Sequence, residues 1–175
     1  MNGHIKGTIL HADTLDPADH TLVTLKRMGQ EREQYVDGTG FFGFVHLPPG
    51  EYKVTVQPRV GKALTLKVKV EAGKVTTCNL LLGDTGAKRV KNLAELSRLP
   101  EDTQVVLTEW AVTSGMPGTN GDFRLGEVTV RIPGELPLAF IAGDVVNVKG
   151  TLRRENGQAV IDGAKAVLVD MLPRR

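Results

Sequence analysis

The chain has 175 residues, 41% of them hydrophobic, which is enough for one large domain or two small ones with their own cores. Its 22 basic and 20 acidic residues leave a net charge of +2, and neither half has the excess of positive charge that electrostatic binding to a polyphosphate needs. The single cysteine, Cys78, excludes an intrachain disulfide, and no apolar run reaches the roughly 18 residues of a membrane span.

The first half of the chain, residues 1–83, shows strand patterns about every ten residues, separated by turns containing glycine and proline. The clearest alternation runs from Leu64 to Val70, as expected for a strand with one buried face. Tyr52, Val54 and Val56 form another inward-facing row, and Cys78 is expected to face the core. The pattern predicts an all-β fold that begins with a seven-stranded β-sandwich, its strands at 5–9, 22–25, 34–36, 41–45, 52–56, 64–70 and 75–82.

Residues 37–56, DGTGFFGFVHLPPGEYKVTV, are typical of a strand, a Pro-Pro-Gly turn and a second strand. Gly40, Phe42 and Phe44, with the turn at 47–52, resemble the signature of the transthyretin-like (prealbumin-like) sandwich modules, which include the carboxypeptidase-regulatory-like and Cna-B-like domains. The resemblance covers nearly all of residues 1–83. It implies an accessory module of an extracytoplasmic protein, and it is silent on chemistry.

One loop of the first half, residues 11–20, concentrates side chains that bind metals. Carboxylates suit hard cations such as Ca²⁺, and imidazoles suit transition metals. The spacing fits no EF-hand, however, and Asx-turn residues with a proline are typical of a solvated loop. We therefore predict a solvated loop and no metal or other cofactor. The alternative is a metal site formed by His11, Asp13, Asp16, Asp19 and His20.

Residues 84–90 are polar and are predicted to be a linker to a second domain at 91–175. Asn92 is predicted to cap a short helix at 93–99, which Pro100 ends. Within the fourth strand that follows, Val146, Val148 and Gly150 are expected to share the inner face. The second domain is thus predicted to contain five strands, at 105–113, 122–125, 128–132, 144–153 and 159–169.

The order and pattern of this half resemble an OB-fold of the kind appended to bacterial extracytoplasmic and nucleic-acid proteins. Residues 121–125 are similar to the family's second strand, and 142–150, AGDVVNVKG, are similar to its Gly-Asp-x-Val-x-Val-x-Gly fourth strand. Asn156 and Gly157 fit the hairpin turn before the fifth strand. The resemblance implies a five-stranded barrel, which the small Gly150 would help a bent strand to close.

OB-folds often bind oligonucleotides or sugars on the face of strands 2 and 3. Alternation places Arg124, Thr129 and Arg131 on the outer side of these strands, and Phe123 on the inner side. Trp110 is the one possible stacking platform, although it is equally compatible with the core or an interface. Nearby carboxylates would oppose phosphate. Single-stranded nucleic-acid or carbohydrate binding is therefore the alternative function, with Arg124, Arg131, Lys149, Arg153 and Arg154 as the candidate nucleic-acid contacts.

The sequence has no Gly-x-Ser-x-Gly motif, phosphate loop, HExxH motif or cysteine pair, and we predict that the protein is not an enzyme. We expect a non-catalytic structural or interaction protein outside the cell or on its surface, in a mature form because no signal peptide precedes the first strand. It would be an accessory region of a larger surface protein or a self-assembling filament or surface-layer subunit. Its partners would be copies of itself or other surface proteins, bound at sheet edges. The apolar run at 136–141 would lie at an interface or plug the barrel.

Overall fold

The computed structural model describes residues 1–83, 86–115, 122–133 and 140–171. The chain divides into two compact units, Met1–Gly83 and Asp84–Arg175. Strands dominate both units, and the helix α1 (Leu93–Ser97) has five residues. The fold is therefore all-β, as predicted. Within the described ranges, no helix is long and apolar enough to cross a membrane.

The first unit contains eight strands, which form two sheets of four strands each. In chain order they are β1 (Gly3–His11), β2 (Leu22–Arg27), β3 (Gln30–Tyr35), β4 (Phe41–Leu47), β5 (Gly50–Gln57), β6 (Leu64–Val70), β7 (Val75–Thr77) and β8 (Leu80–Leu82). One sheet has the order β4-β1-β7, with β8 also paired to β1. The other has the order β3-β2-β5-β6.

The two sheets of the first unit share one hydrophobic core. Phe42 and Phe44 from one sheet and Val54 and Val56 from the other are all at most 3% exposed. Burial alternates along β5 with the period of two that a half-buried strand requires. The inward-facing row of β5 and the burial of Cys78 are confirmed. The unit is sandwich-like.

The hairpin between β2 and β3 differs from the prediction, which began the third strand at Gln34. The strand begins at Gln30, because Met28 and Gly29 form a two-residue turn with φ values of +50° and +79°. Such turns usually carry Asn-Gly or Asp-Gly, whose side chains tolerate a positive φ. Methionine is not part of that pattern, so the sequence did not reveal the hairpin.

The predicted strand 75–82 is two strands, β7 and β8, which both run parallel to β1. Between them, the N–H of Cys78 donates to the carbonyl of Lys6 (2.7 Å), and Asn79 Oδ1 accepts from the N–H of Thr8 (2.9 Å). Gly7 permits this close approach, because an added Cβ would overlap the Cys78 carbonyl and lie 2.7 Å from the Phe42 ring. The interruption is therefore set by a contact distant in sequence.

The second unit is built on one sheet with the order β11-β12-β13-β15-β14-β10-β9. These strands are β9 (Lys88–Val90), β10 (Gln104–Ala111), β11 (Ser114–Gly115), β12 (Phe123–Leu125), β13 (Val128–Val130), β14 (Asp144–Glu155) and β15 (Gln158–Met171). The β13–β15 and β9–β10 pairs are parallel, and the other neighbours are antiparallel. Asn92 caps α1 as predicted, by accepting from the N–H of Glu95 (2.9 Å).

One prediction about the second unit needs correction. Lys88–Val90, which lie in the predicted linker 84–90, form β9 and pair with β10. A run of three residues is too short for its alternation to be recognised. The sheet has seven strand segments and does not close among the described residues, so the five-stranded barrel stays a prediction.

A bulge interrupts β10 near its end. The pairing of β10 with β14 shifts between Leu107 and Trp110, where Glu109 has a φ of +55°. Its N–H donates to Oδ1 of the buried Asn147 (2.8 Å), so the displaced backbone group is satisfied. The predicted strand 105–113 is two residues too long at its end: β10 ends at Ala111, and a separate strand, β11, begins at Ser114 and pairs with β12.

The inner face predicted for β14 is confirmed. Val146 and Val148 are fully buried, and Gly150 lies where the β14–β15 pairing shifts. A Cβ on Gly150 would be 2.6 Å from Ile161 Cγ2 and 3.0 Å from the carbonyl oxygen of Asp162. Glycine is required here by the close approach of β15 rather than by its φ angle.

Candidate functional site

The loop after β1 does not bring its five candidate metal ligands together. Within the described part of the chain, no three His, Cys, Asp or Glu side chains are placed to hold a metal ion. The N–H of His11 donates to the carbonyl of Asp16 (2.8 Å), and His20 Nδ1 lies 3.4 Å from Asp19 Oδ2. Leu15 is fully buried with a φ of +59°, so it anchors the loop to the core. The carboxylates of Asp13, Asp16 and Asp19 lie on the exposed side.

On the predicted nucleic-acid face, Arg131 is held by acidic neighbours. Its guanidinium forms two hydrogen bonds with the Glu155 carboxylate, at 2.8 and 2.9 Å, and its Nε lies 3.7 Å from Asp122 Oδ2. The Arg131 hydrogen bond is the main cause that lowers the pKa of Glu155. A guanidinium in a bidentate pair is largely neutralised, so it is a weaker contact for phosphate.

The other four candidate cations are divided between fold contacts and the surface. Arg153 pairs with Asp102, and Arg154 Nη2 donates to the carbonyl of Leu99 (2.8 Å) just beyond α1. Arg124 and Lys149 are half-buried on β12 and β14. Arg131, Arg153 and Arg154 are therefore engaged within the second unit.

The aromatic side chains of the second unit serve packing. Trp110 is partly buried against the core, and its indole N–H donates to the carbonyl of Val90 (3.1 Å). Phe123 is 2% exposed, which confirms its predicted inward direction, and its ring centroid is 5.1 Å from that of Phe140. The rest of the apolar run, residues 136–139, lies outside the described residues. No described aromatic residue of this unit forms an exposed stacking platform of the kind that single-strand binding uses.

The Arg131–Glu155 pair predicts the titration of one carboxyl group. The pKa of Glu155 is lower in the folded protein than its ordinary value of 4.5. The pair therefore contributes stability that is present above pH 4.5 and is lost as pH falls through the pKa of folded Glu155. We expect NMR titration of the Glu155 carboxyl carbon to give a pKa below the ordinary glutamate value, and Arg131→Gln to move it back up. Arg124→Gln on the adjacent strand is the matched control. An unchanged midpoint in Arg131→Gln would contradict the assignment.

The outer edge of β4 in the first unit is closed by side chains. Arg32 Nη1 donates to the carbonyl of Val45 (2.8 Å), and Gln34 Oε1 accepts from the N–H of Gly43 (2.9 Å). Both side chains reach across from β3 in the opposite sheet. An edge whose backbone groups are already bonded is a poor template for an added strand.

The outer edge of β3 is open. Arg27 and Gln30 flank the two-residue turn, and residues in that position form a hydrogen-bonded pair. The pairing continues without a bulge, so Glu31, Glu33 and Tyr35 direct their N–H and C=O groups away from β2. Within the described ranges these groups have no protein partner. Every residue of β3 is exposed.

The opposite edge of the same sheet, along β6, is bonded at Lys69 and open at Thr65 and Lys67. Thr76 Oγ1 donates to the carbonyl of Lys69 (3.0 Å), which shows that the backbone groups of Lys69 point away from β5. No bulge interrupts the β5–β6 pairing, so those of Thr65 and Lys67 point the same way. They have no partner among the residues described. The β3-β2-β5-β6 sheet thus ends in unpaired backbone on both sides.

No protein family and no curated protein matches the sequence. Among solved structures, the chain is similar to one described as "The Bacillus anthracis TIE protein", with 13% identity and a TM-score of 0.43. The match covers 99% of this chain and 32% of the other, so the chain spans about a third of that protein's length. A likeness this distant carries no argument about function.

Proposed function

We propose that the protein is a non-catalytic, extracytoplasmic structural protein that acts through the sheet edges of its first unit. It would be a self-assembling surface or filament subunit, or an accessory region of a larger surface protein. The observation that carries the proposal is the contrast between edges. Arg32 and Gln34 close the edge of β4, whereas the β3-β2-β5-β6 sheet is open along β3 and, on its other side, at Thr65 and Lys67 of β6. Open edges recruit strands from other chains.

The roles of the buried and half-buried polar side chains support a non-catalytic function. Asn147 satisfies the bulge of β10, Asn79 satisfies the break between β7 and β8, and Arg154 binds a carbonyl just beyond α1. Each of these groups is used to hold the backbone, as expected for polar groups that must be paired when removed from water. These side chains therefore serve the fold.

We further propose that the first unit is a transthyretin-like sandwich of the carboxypeptidase-regulatory-like or Cna-B-like kind and that the second is OB-like. For the second unit, the support is the strand order in which β13 lies parallel to β15 while β14 pairs with both β15 and β10. In addition, β11 follows β10 by two residues yet pairs with β12 at the other end of the sheet. This connectivity is compatible with an OB topology.

The proposed function is tested by the mass of the protein in solution as its concentration rises. We expect light scattering after size-exclusion chromatography to show growing assemblies, and negative-stain microscopy to show regular fibres or sheets. The rival function, single-strand binding by the second unit, predicts a monomer that retards labelled oligo-dT in a salt-dependent way. A monomer at every concentration would contradict self-assembly.

A further inference from the structure

The two open edges of the β3-β2-β5-β6 sheet have compatible directions. Each neighbouring pair in this sheet is antiparallel, so the fourth strand, β6, runs antiparallel to the first, β3. A second copy placed in the same orientation beyond β6 therefore presents its β3 antiparallel to β6. The sheet then continues through both molecules with one unbroken pattern of antiparallel pairs.

The charges on the two edges are complementary. The residues that direct backbone groups outward also carry the outer-face side chains: Glu31, Glu33 and Tyr35 on β3, and Thr65, Lys67 and Lys69 on β6. In one antiparallel register Lys67 faces Glu33, which places Lys69 opposite Glu31 and Thr65 opposite Tyr35. Because Thr76 already bonds the Lys69 carbonyl, the backbone pairing runs through Thr65 and Lys67, and Lys69 contributes its charge. Opposite charges directly across a sheet stabilise the pairing, and like charges destabilise it.

A row of lysines inside the sheet points to the same partner. Lys26 lies directly opposite Lys53, and Lys53 lies directly opposite Lys67. On one side the row ends at Glu31, whose Oε2 lies 3.7 Å from Lys26 Nζ. On the other side Lys67 is the last described residue of the row, and its Nζ lies 3.6 Å from Oε1 of Glu51, which is in the diagonal position on β5. A Glu33 carboxylate from a second copy would occupy the vacant position directly across from Lys67 and complete the row.

The inner face of β6 supplies apolar area to the same contact. Leu64 is 41% exposed, and Leu66 is half-buried while it packs against the core. Both lie on the strand that the added β3 would cover. An edge that combines free backbone groups with exposed leucine is the kind that recruits another strand.

We infer that the chain assembles head to tail, with β6 of each copy paired antiparallel to β3 of the next in the register that sets Lys67 against Glu33. The inference rests on the proposed function and names its interface and partner, a second copy of this chain. Because the two edges differ, the contact is heterologous and leaves a free β3 and a free β6 at the ends. Repetition of such a contact produces an open filament unless the rotation closes a ring.

Two charge reversals test the register. Glu33→Lys sets lysine against Lys67 in the next copy, and Lys67→Glu sets glutamate against Glu33. We expect either variant alone to raise the dissociation constant for self-association about tenfold. Mixed in equal amounts, the two variants should assemble together, because each then offers the other an opposite charge. Lys62→Glu and Glu127→Lys, which make the same charge changes on exposed residues outside both edges, are the matched controls.

A proline at the open edge tests the backbone pairing without changing the charge. The N–H of Thr65 points away from β5, so Thr65→Pro should leave the sheet folded while it blocks an added strand. Circular dichroism checks the fold, and light scattering measures the assembly. We also expect hydrogen exchange to slow at the amides of Glu33 and Lys67 when the wild-type chain assembles.

The outcomes separate the interface from the broader function. Weaker assembly of the single variants with recovery in the mixture supports the proposed register. Assembly that is unaffected by Glu33→Lys, Lys67→Glu and Thr65→Pro overturns this interface but leaves self-assembly standing. A wild-type chain that remains monomeric at every concentration overturns both.

Discussion

Gly7→Ala is expected to destabilise the first unit by about 3 kcal/mol, the upper part of the range for an overpacked core. Gly7 lies in the middle of β1, between β4 and the Cys78 backbone. An added methyl group would overlap the carbonyl oxygen of Cys78 and approach the Phe42 ring to 2.7 Å. Neither neighbour can yield easily, because one is backbone and the other is a fully buried ring.

The single cysteine provides the measurement for this variant. Cys78 is 7% exposed, so a thiol reagent reaches it when the first unit opens. If reclosing is fast, a loss of about 3 kcal/mol raises the labelling rate about a hundredfold. Gly38→Ala is the matched control, because a Cβ at Gly38 would have no atom within 4 Å. Equal labelling rates for the two variants would contradict the close approach at Gly7.

Phe123→Ala is expected to destabilise the second unit by about 3–5 kcal/mol. Phe123 is 2% exposed and packs against Phe140 with a ring separation of 5.1 Å. Removing the ring loses the free energy of its burial. It also leaves a cavity that the neighbouring strands can fill only partly. The effect is large because β12 and β13 have three residues each, and Phe123 is the largest of the four side chains that they bury.

The single tryptophan reports on this unit. Trp110 lies on β10, so its fluorescence follows unfolding of the second unit in urea. We expect Phe123→Ala to unfold at a lower urea concentration, while the dependence of its unfolding free energy on urea stays similar. Leu168→Ala, on β15 and 42% exposed in the native chain, is the control and should shift the midpoint far less. Equal shifts would mean that Phe123 is not a core residue.

Local patterning predicted the β5 row and the β14 row correctly, because alternation is a property of consecutive residues. It also predicted the cap at Asn92, which needs only the residue three positions ahead. Elements whose limits depend on distant contacts were misjudged. The break at Cys78 and Asn79 depends on Gly7 and Thr8, some 70 residues away.

For the candidate sites, residue type predicted which side chains were chemically able to act, but not which were free to do so. Arg131 and Arg154 are cations on the expected face, yet Glu155 and a carbonyl just beyond α1 engage them. The open edges were not predicted residue by residue. The signal was present in QEREQY at residues 30–35, a fully polar strand typical of a sheet edge.

The order of residues by itself determined the all-β class, the inward rows and the absence of a large excess of charge in either half. Only the tertiary structure decided where the charges lie, because strand neighbours are chosen by long-range pairing. That pairing gathers Lys26, Lys53 and Lys67 into one row and leaves Glu33 at the far edge of the same sheet. A composition close to neutral thus becomes a molecule with two oppositely charged edges.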